Sequence, residues 1–286
     1  MNFRTDLALE CHETLESIPR KSIRKEEYKN DDVTVTLVEV LDEYGAQQIG
    51  KPKGKYYTVE MAEFSHETEL LDGRLKSITD VITQLLPCGD GTVLVAGIGN
   101  DNITPDALGP LCAEQVFSTR HIKEELSSEM GLPNFNSVSS ISTGVLGQTG
   151  IETAEYIKGV VEFTKPKAVI AVDALVARTL SRLGKTVQIS DAGISPGSGV
   201  GNHRNKIDRD LLGIPVIAIG VPTIVDGNTL VCDLLGIKQK NNDAENLMVT
   251  PQDIDLIIER ASRLLALSIN CALQPQIDPQ FLLSLM

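Results

Sequence analysis

No apolar stretch of this chain approaches the roughly 18 residues that a membrane span requires, so no transmembrane segment is expected. No C-x-x-C pair occurs among Cys11, Cys88, Cys112, Cys232 and Cys271, and an odd number of cysteines cannot pair completely within one chain. They read as reduced thiols, mostly core packing. The opening MNFRTDLALECHETLES has acidic residues where a signal peptide needs an uninterrupted apolar core, which makes the cytoplasm the default compartment. Positive charge is short as well: 26 Lys and Arg stand against 39 Asp and Glu, a net −13. Affinity for phosphates comes from clustered basic residues, so direct nucleic-acid binding is not expected. The acidic surface suits solubility, or a basic or nucleic-acid-associated client.

Familiar catalytic patterns are also missing. There is no Walker motif and no G-x-S-x-G elbow, and the absence of H-E-x-x-H excludes a zincin. A dinucleotide fingerprint fails because Gly97 and Gly99 are followed by Asn102 where a third glycine is needed. His12, His66, His121 and His203 have no Ser or Cys partner at a strand end.

What is present reads as one main α/β domain with additions. The first 90 residues are the most polar, with alternation from Val33 that predicts a strand, and a turn and second strand over 50–64, together a candidate β-hairpin. Helical spacing follows over 67–86. Buried strands are expected at 92–97, 167–175 and 215–222, with a short one at 136–142. Helices are expected over 106–119, 150–164 and 252–273. This alternation predicts a mostly parallel open sheet wrapped by helices.

In such sheets the ligand crevice lies beyond the carboxyl ends of the strands. Three endings stand out: GIGNDNITPDALGP (97–110), VDAL (172–175) and IGVPTIVDG (219–227). In the first, Thr104 can cap a helix and Pro105 occupy its first turn, placing Asp106 just inside the N-terminus, where the dipole favours a carboxylate. Asp173, at the end of an apolar strand, is costly to bury unless paired, protonated or solvated in a cleft. Were the two strands neighbours, Asp106 and Asp173 would face each other, and two close carboxylates split into an acid and a base. The amides of 97–102 could bind an oxyanion over a floor formed by Gly97, Gly99 and Asn100. Asp101 is a weaker candidate. His203, in a glycine-rich loop over 194–205, is a lesser candidate for a metal or proton role, and Asp226 reads as a helix cap or a site residue.

The segments RTDLALE (4–10), GIGNDNITPDALGP (97–110), GVLGQTGIETAEYIKGVV (144–161), VDALVAR (172–178), QISDAGISPGSGVGN (188–202), GIPVIAIGVPTIVDG (213–227) and NLMVTPQDID (246–255) together resemble the germination protease family, peptidase family A25. The resemblance implies an aspartic-type endopeptidase that begins degradation of small acid-soluble spore proteins, with Asp106 and Asp173 as its essential aspartates. It implies a precursor that cuts itself between Asp6 and Leu7, a homotetrameric enzyme in the forespore or spore core, and no cofactor. The expected organisation is a propeptide at 1–6, an extension with hairpin and helix at 7–90, and a catalytic domain at 91–286, in a phosphorylase/hydrolase-like three-layer αβα arrangement. The chain also looks related to hydrogenase-maturation endopeptidases. A metal-dependent peptidase of that type is the alternative, although Asp106 stands where those have Glu and their metal-binding histidine has no clear counterpart. A non-enzymatic binding protein is a third possibility. The segment 228–245 is shorter than the family pattern.

Overall fold

The computed structural model describes residues 5–15, 21–66, 68–122, 135–197, 205–236 and 247–286. Its centre is built from three strands that are largely apolar and buried on both faces: β4 (Val93–Gly97), β6 (Ala168–Ala177) and β8 (Val216–Asp226). Continuous apolar runs are what central parallel strands require, because helices cover both faces. β4 pairs in parallel with β5 (Val138–Ser142) on one side and with β6 on the other, and β6 pairs in parallel with β8.

The period-2 alternation divides the core. Val93, Val95, Ile170 and Val172 face α3 (Gly73–Leu85), α4 (Leu108–Glu114) and α9 (Ile254–Leu273). Leu94, Ala96, Val169 and Ala171 face α6 (Thr153–Thr164) and α7 (Arg209–Leu212). Each fully buried Leu, Ile or Val contributes about 1.5–3 kcal/mol of transfer free energy, and these two layers hold the sheet in place. The remaining helices are short: α1 (Ala8–Glu13), α2 (Glu43–Ile49), α5 (Leu146–Thr149), α8 (Gly227–Leu235) and α10 (Pro279–Ser284).

The sheet is mixed, which corrects the expectation of a mostly parallel one. Its order is β1-β2-β3-β7-β8-β6-β4-β5, and every pairing on the β1 side of β8 is antiparallel. The reason lies after β6. Only residues 178–185 separate it from β7 (Thr186–Ser190), whereas a parallel return needs a crossover of a dozen or more residues. β7 therefore runs back, and β3 (Gly54–Glu60), β2 (Val33–Val40) and β1 (Ile23–Asn30) add to it in turn. The two strands read near the N-terminus do pair, but α2 lies between them. The two-residue connection, Asp31–Asp32, joins β1 to β2, with Asp31 in the left-handed region at φ 51. β9 (Met248–Val249) adds to the end of β8.

Helix starts follow their caps. The helix expected from residue 67 begins at Gly73 because Asp72 accepts the Arg74 amide at 2.9 Å. The helix expected over 106–119 is shorter and later. A 3₁₀ turn spans Thr104–Asp106 and α4 starts at Leu108, so Asp106 precedes the helix, and Thr104 does not cap it.

Candidate active site

The glycines of the 97–110 loop serve backbone packing. β4 ends at Gly97, and the Ile98 amide still donates to the Val172 carbonyl at 2.8 Å. α4 then crosses very close: a Cβ on Gly97 would lie 2.1 Å from the Gly109 carbonyl oxygen. Gly99 has φ +129, and a Cβ there would lie 2.0 Å from the Asp106 carbonyl oxygen. No side chain fits either contact, and Gly99 also needs a conformation that glycine adopts at low cost. The loop is folded against the very turn that carries Asp106.

That turn is held from two sides. Asp106, half-buried, accepts the Asn100 amide at Oδ2 over 2.8 Å. From β8, the Thr223 hydroxyl donates to the Pro105 carbonyl at 2.8 Å. β8 was expected to end near Pro222 but runs on to Asp226, and its pairing with β6 shifts register there, Leu175 opposing Pro222 and Val176 opposing Ile224. Proline lacks a ladder donor, and the extra residue turns the buried Thr223 toward the 3₁₀ turn.

Asp173 is 5% exposed and accepts the Ala174 amide at Oδ1 over 2.9 Å. β6 continues to Ala177 and so does not end at this residue. The last β4 pair is Gly97 with Val172, however, so Asp173 is the first residue of β6 that β4 leaves uncovered. The 3₁₀ turn packs against β6 and β8. Asp106 and Asp173 thus lie at the same end of adjacent strands, where a crevice is expected in a parallel sheet.

Asp101 is exposed and has a different setting. Its Oδ1 accepts the Asn102 side-chain amide at 2.9 Å and Gln148 Nε2 at 3.0 Å. Gln148 Nε2 also donates to Asn100 Oδ1 at 2.7 Å, and the Asn102 backbone amide donates to that oxygen at 3.0 Å. Asp101 lines a cavity of about 420 Å³ with Thr104, Leu111, Gln115, Glu259 and Met286. Gln148 and Thr223 lie in the 144–161 and 213–227 segments but carry no charge that marks them in the sequence as site residues. With Gln148→Ala, the pin on 100–101 is lost. Because the side chain is exposed, Tm should stay within about 1 °C, while amide hydrogen exchange over 99–102 quickens as the loop loosens. Hydrogen-exchange measurements beside a melting curve check this.

Asp226 caps α8, accepting the Thr229 amide and hydroxyl, each at 2.9 Å. His203 lies outside the described residues. All five cysteines are free thiols, and burial pushes the Cys271 thiol up to about 11. Among the described residues no group of three or more His, Cys, Asp or Glu gathers as a metal site, and no helix is long and apolar enough to cross a membrane.

The N-terminal segment runs onto the far part of β6. The Asp6 amide donates to the Val176 carbonyl at 2.8 Å, and the Val176 amide returns to Asp6 Oδ2 at 2.9 Å. Gln188 spans the next bond, donating to the Asp6 carbonyl at 2.9 Å and accepting the Ala8 amide at 2.7 Å. Leu7 is fully buried with Leu175, Ala177, Leu183 and Val225. Val176 is three residues beyond Asp173, a distance of roughly 10 Å along a strand.

Residues 6–241 match the model of a protein family described as Germination protease. Similar proteins named Germination protease include that of Caldanaerobacter subterraneus subsp. tengcongensis, 42% identical over 311 aligned residues covering 96% of this chain and 95% of the relative. Another, from Clostridium perfringens, is 39% identical, covering 96% of each chain. A third, from Bacillus mycoides, is 34% identical over 348 aligned residues, covering 96% of this chain and 94% of the relative. That alignment is longer than the 286 residues of this chain, so the relative carries segments absent here.

Proposed function

The chain belongs to the germination protease family, peptidases of spore germination, and on that premise we propose that it is an aspartic-type endopeptidase whose Asp106 and Asp173 activate water against small acid-soluble spore proteins. The observation that carries this reading is the placement of Asp173, nearly buried and just past the end of β4, at the sheet end to which Asn100 and Thr223 hold the Asp106 turn.

In this mechanism one carboxylate is ionised and takes a proton from the attacking water. The other is protonated, polarises the scissile carbonyl and then donates to the leaving amine. The loop supplies fewer oxyanion donors than its length suggests. The amides of Ile98, Asn100 and Asn102 are already bonded to Val172, Asp106 and Asn100. Among the described residues the amides of Gly99 and Asp101 find no backbone acceptor, and they fit the role.

The family reading also carries a precursor that cuts itself between Asp6 and Leu7, a homotetramer and residence in the spore core. The docking of that bond on β6, roughly 10 Å along the strand from Asp173, supports self-cleavage. Incubation with an authentic spore protein should give discrete internal fragments by mass analysis, with full turnover in a chelator. Failure to cut any spore protein would remove the substrate assignment. Intact mass of the activated enzyme should show Leu7 as its first residue, and another terminus would refute the cut.

A further inference from the structure

Thr5, in the piece that the proposed cut removes, fills a place that matters to what stays behind. Leu7 is the N-cap residue of α1, and its amide donates to Thr5 Oγ1 at 3.0 Å; that hydroxyl in turn donates to Glu10 Oε2. Glu10 occupies the third position of the helix, from which a glutamate reaches back to the N-cap amide in a capping box. Its carboxylate is 1% exposed. Oε2 accepts the Arg178 amide at 2.7 Å, and Oε1 accepts the Thr179 amide at 3.1 Å and the Thr179 hydroxyl at 2.9 Å. Arg182 Nη1 stands 3.9 Å from Oε1. One hydroxyl of the leader is therefore interposed between the Leu7 nitrogen and a buried carboxylate that grips the exit of β6.

We propose that after cleavage the new α-ammonium of Leu7 takes the place of the Thr5 hydroxyl and pairs directly with Glu10, making Glu10 a positioning residue of the mature enzyme. The inference rests on the Asp6–Leu7 cut proposed above. Hydrolysis places the oxygen of water on the Asp6 carbonyl carbon, which leaves as a carboxylate, and both water protons on the Leu7 nitrogen, which becomes an ammonium. Loss of residues 1–6 takes away one donor to Glu10, and the ammonium supplies a charged one at the same spot. The terminus stays in place because the Leu7 side chain is buried and the Ala8 amide remains on Gln188. Glu10 holds the amides of Arg178 and Thr179, on the strand exit that follows Asp173. The cut thus fixes the strand that carries the site.

The test compares self-processed protein beginning at Leu7 with the same chain made with one glycine ahead of Leu7, each with and without Glu10→Gln. The Leu7 form should turn over a spore protein about tenfold faster, the factor of one charged hydrogen bond, and melt roughly 2–4 °C higher. Its terminal amine should react more slowly with an amine-acylating ester, and Glu10→Gln should erase all three differences. If Glu10→Gln does not fold, the glycine extension and the acylation rate still decide the matter. Equal forms, or differences that persist in Glu10→Gln, overturn the inference alone. A processed terminus other than Leu7 overturns the cut and the inference together.

Discussion

Asp173→Asn lowers kcat/KM on a spore-protein substrate by about a thousandfold or more, the range of a lost general acid or base. The melting temperature should change by only a few degrees. Asparagine keeps the shape and the oxygen that accepts the Ala174 amide, so the packing beside Gly220 is retained. What it cannot do is exchange a proton with water or with the leaving amine. Asp106→Asn should lose activity on the same scale, because its amide can still accept from Asn100 but cannot ionise. If the two carboxylates act as a unit, the double variant falls little below the worse single variant, since removing either one already ends the shared chemistry. The pH profile gives an independent reading: a bell for the parent protein, with one limb missing in each single variant. Near-parent turnover in a folded Asp173→Asn protein would end the proposal.

The parts that were legible in the sequence share a physical cause. β4, β6 and β8 are buried on both faces, so they had to be written as apolar runs, and an aspartate inside such a run is visible because burying it is costly. β1 had no such signature. IRKEEYKN is exposed at nearly every position, and its charges sit on a sheet edge, where they discourage pairing with other chains. A strand with no buried face leaves no periodicity to read. The extent of β6 and β8 beyond Leu175 and Pro222 was hidden for another reason. They continue by pairing with each other past the end of β4, a tertiary fact with no local sequence signal. Site residues divide in the same way. Asp106 and Asp173 stood out by charge, whereas Gln148 and Thr223 act through hydrogen bonds to residues 47 or more positions away, and Glu10 grips the Arg178 amide 168 positions away, which spacing cannot reveal.

Gly109→Ala should be a severely damaging single-methyl change. A Cβ there would lie 2.2 Å from the Ile98 carbonyl oxygen, 2.4 Å from the Val172 carbonyl oxygen and 2.5 Å from the Ile98 nitrogen. All three are backbone atoms at the junction of β4, β6 and the loop, so no rotamer change relieves the clash, and α4 must move away by more than an ångström. Overpacking at a rigid contact costs about 3 kcal/mol, which lowers Tm by roughly 6–12 °C for a chain of this size. Function should fall further than stability accounts for. Asp106 lies just before α4 and moves with it, and in the proposed mechanism its displacement by about 1 Å can cost a hundredfold in rate. Gly159→Ala is the matched control. It lies within α6, a Cβ there meets nothing within 4 Å, and alanine should stabilise the helix by about 0.5–1 kcal/mol with turnover unchanged. Calorimetry and kcat/KM at a temperature where all three proteins are folded separate the two effects. A Gly109→Ala enzyme that melts and turns over like the parent would show that the close approach of α4 to β4 and β6 does not set the position of Asp106.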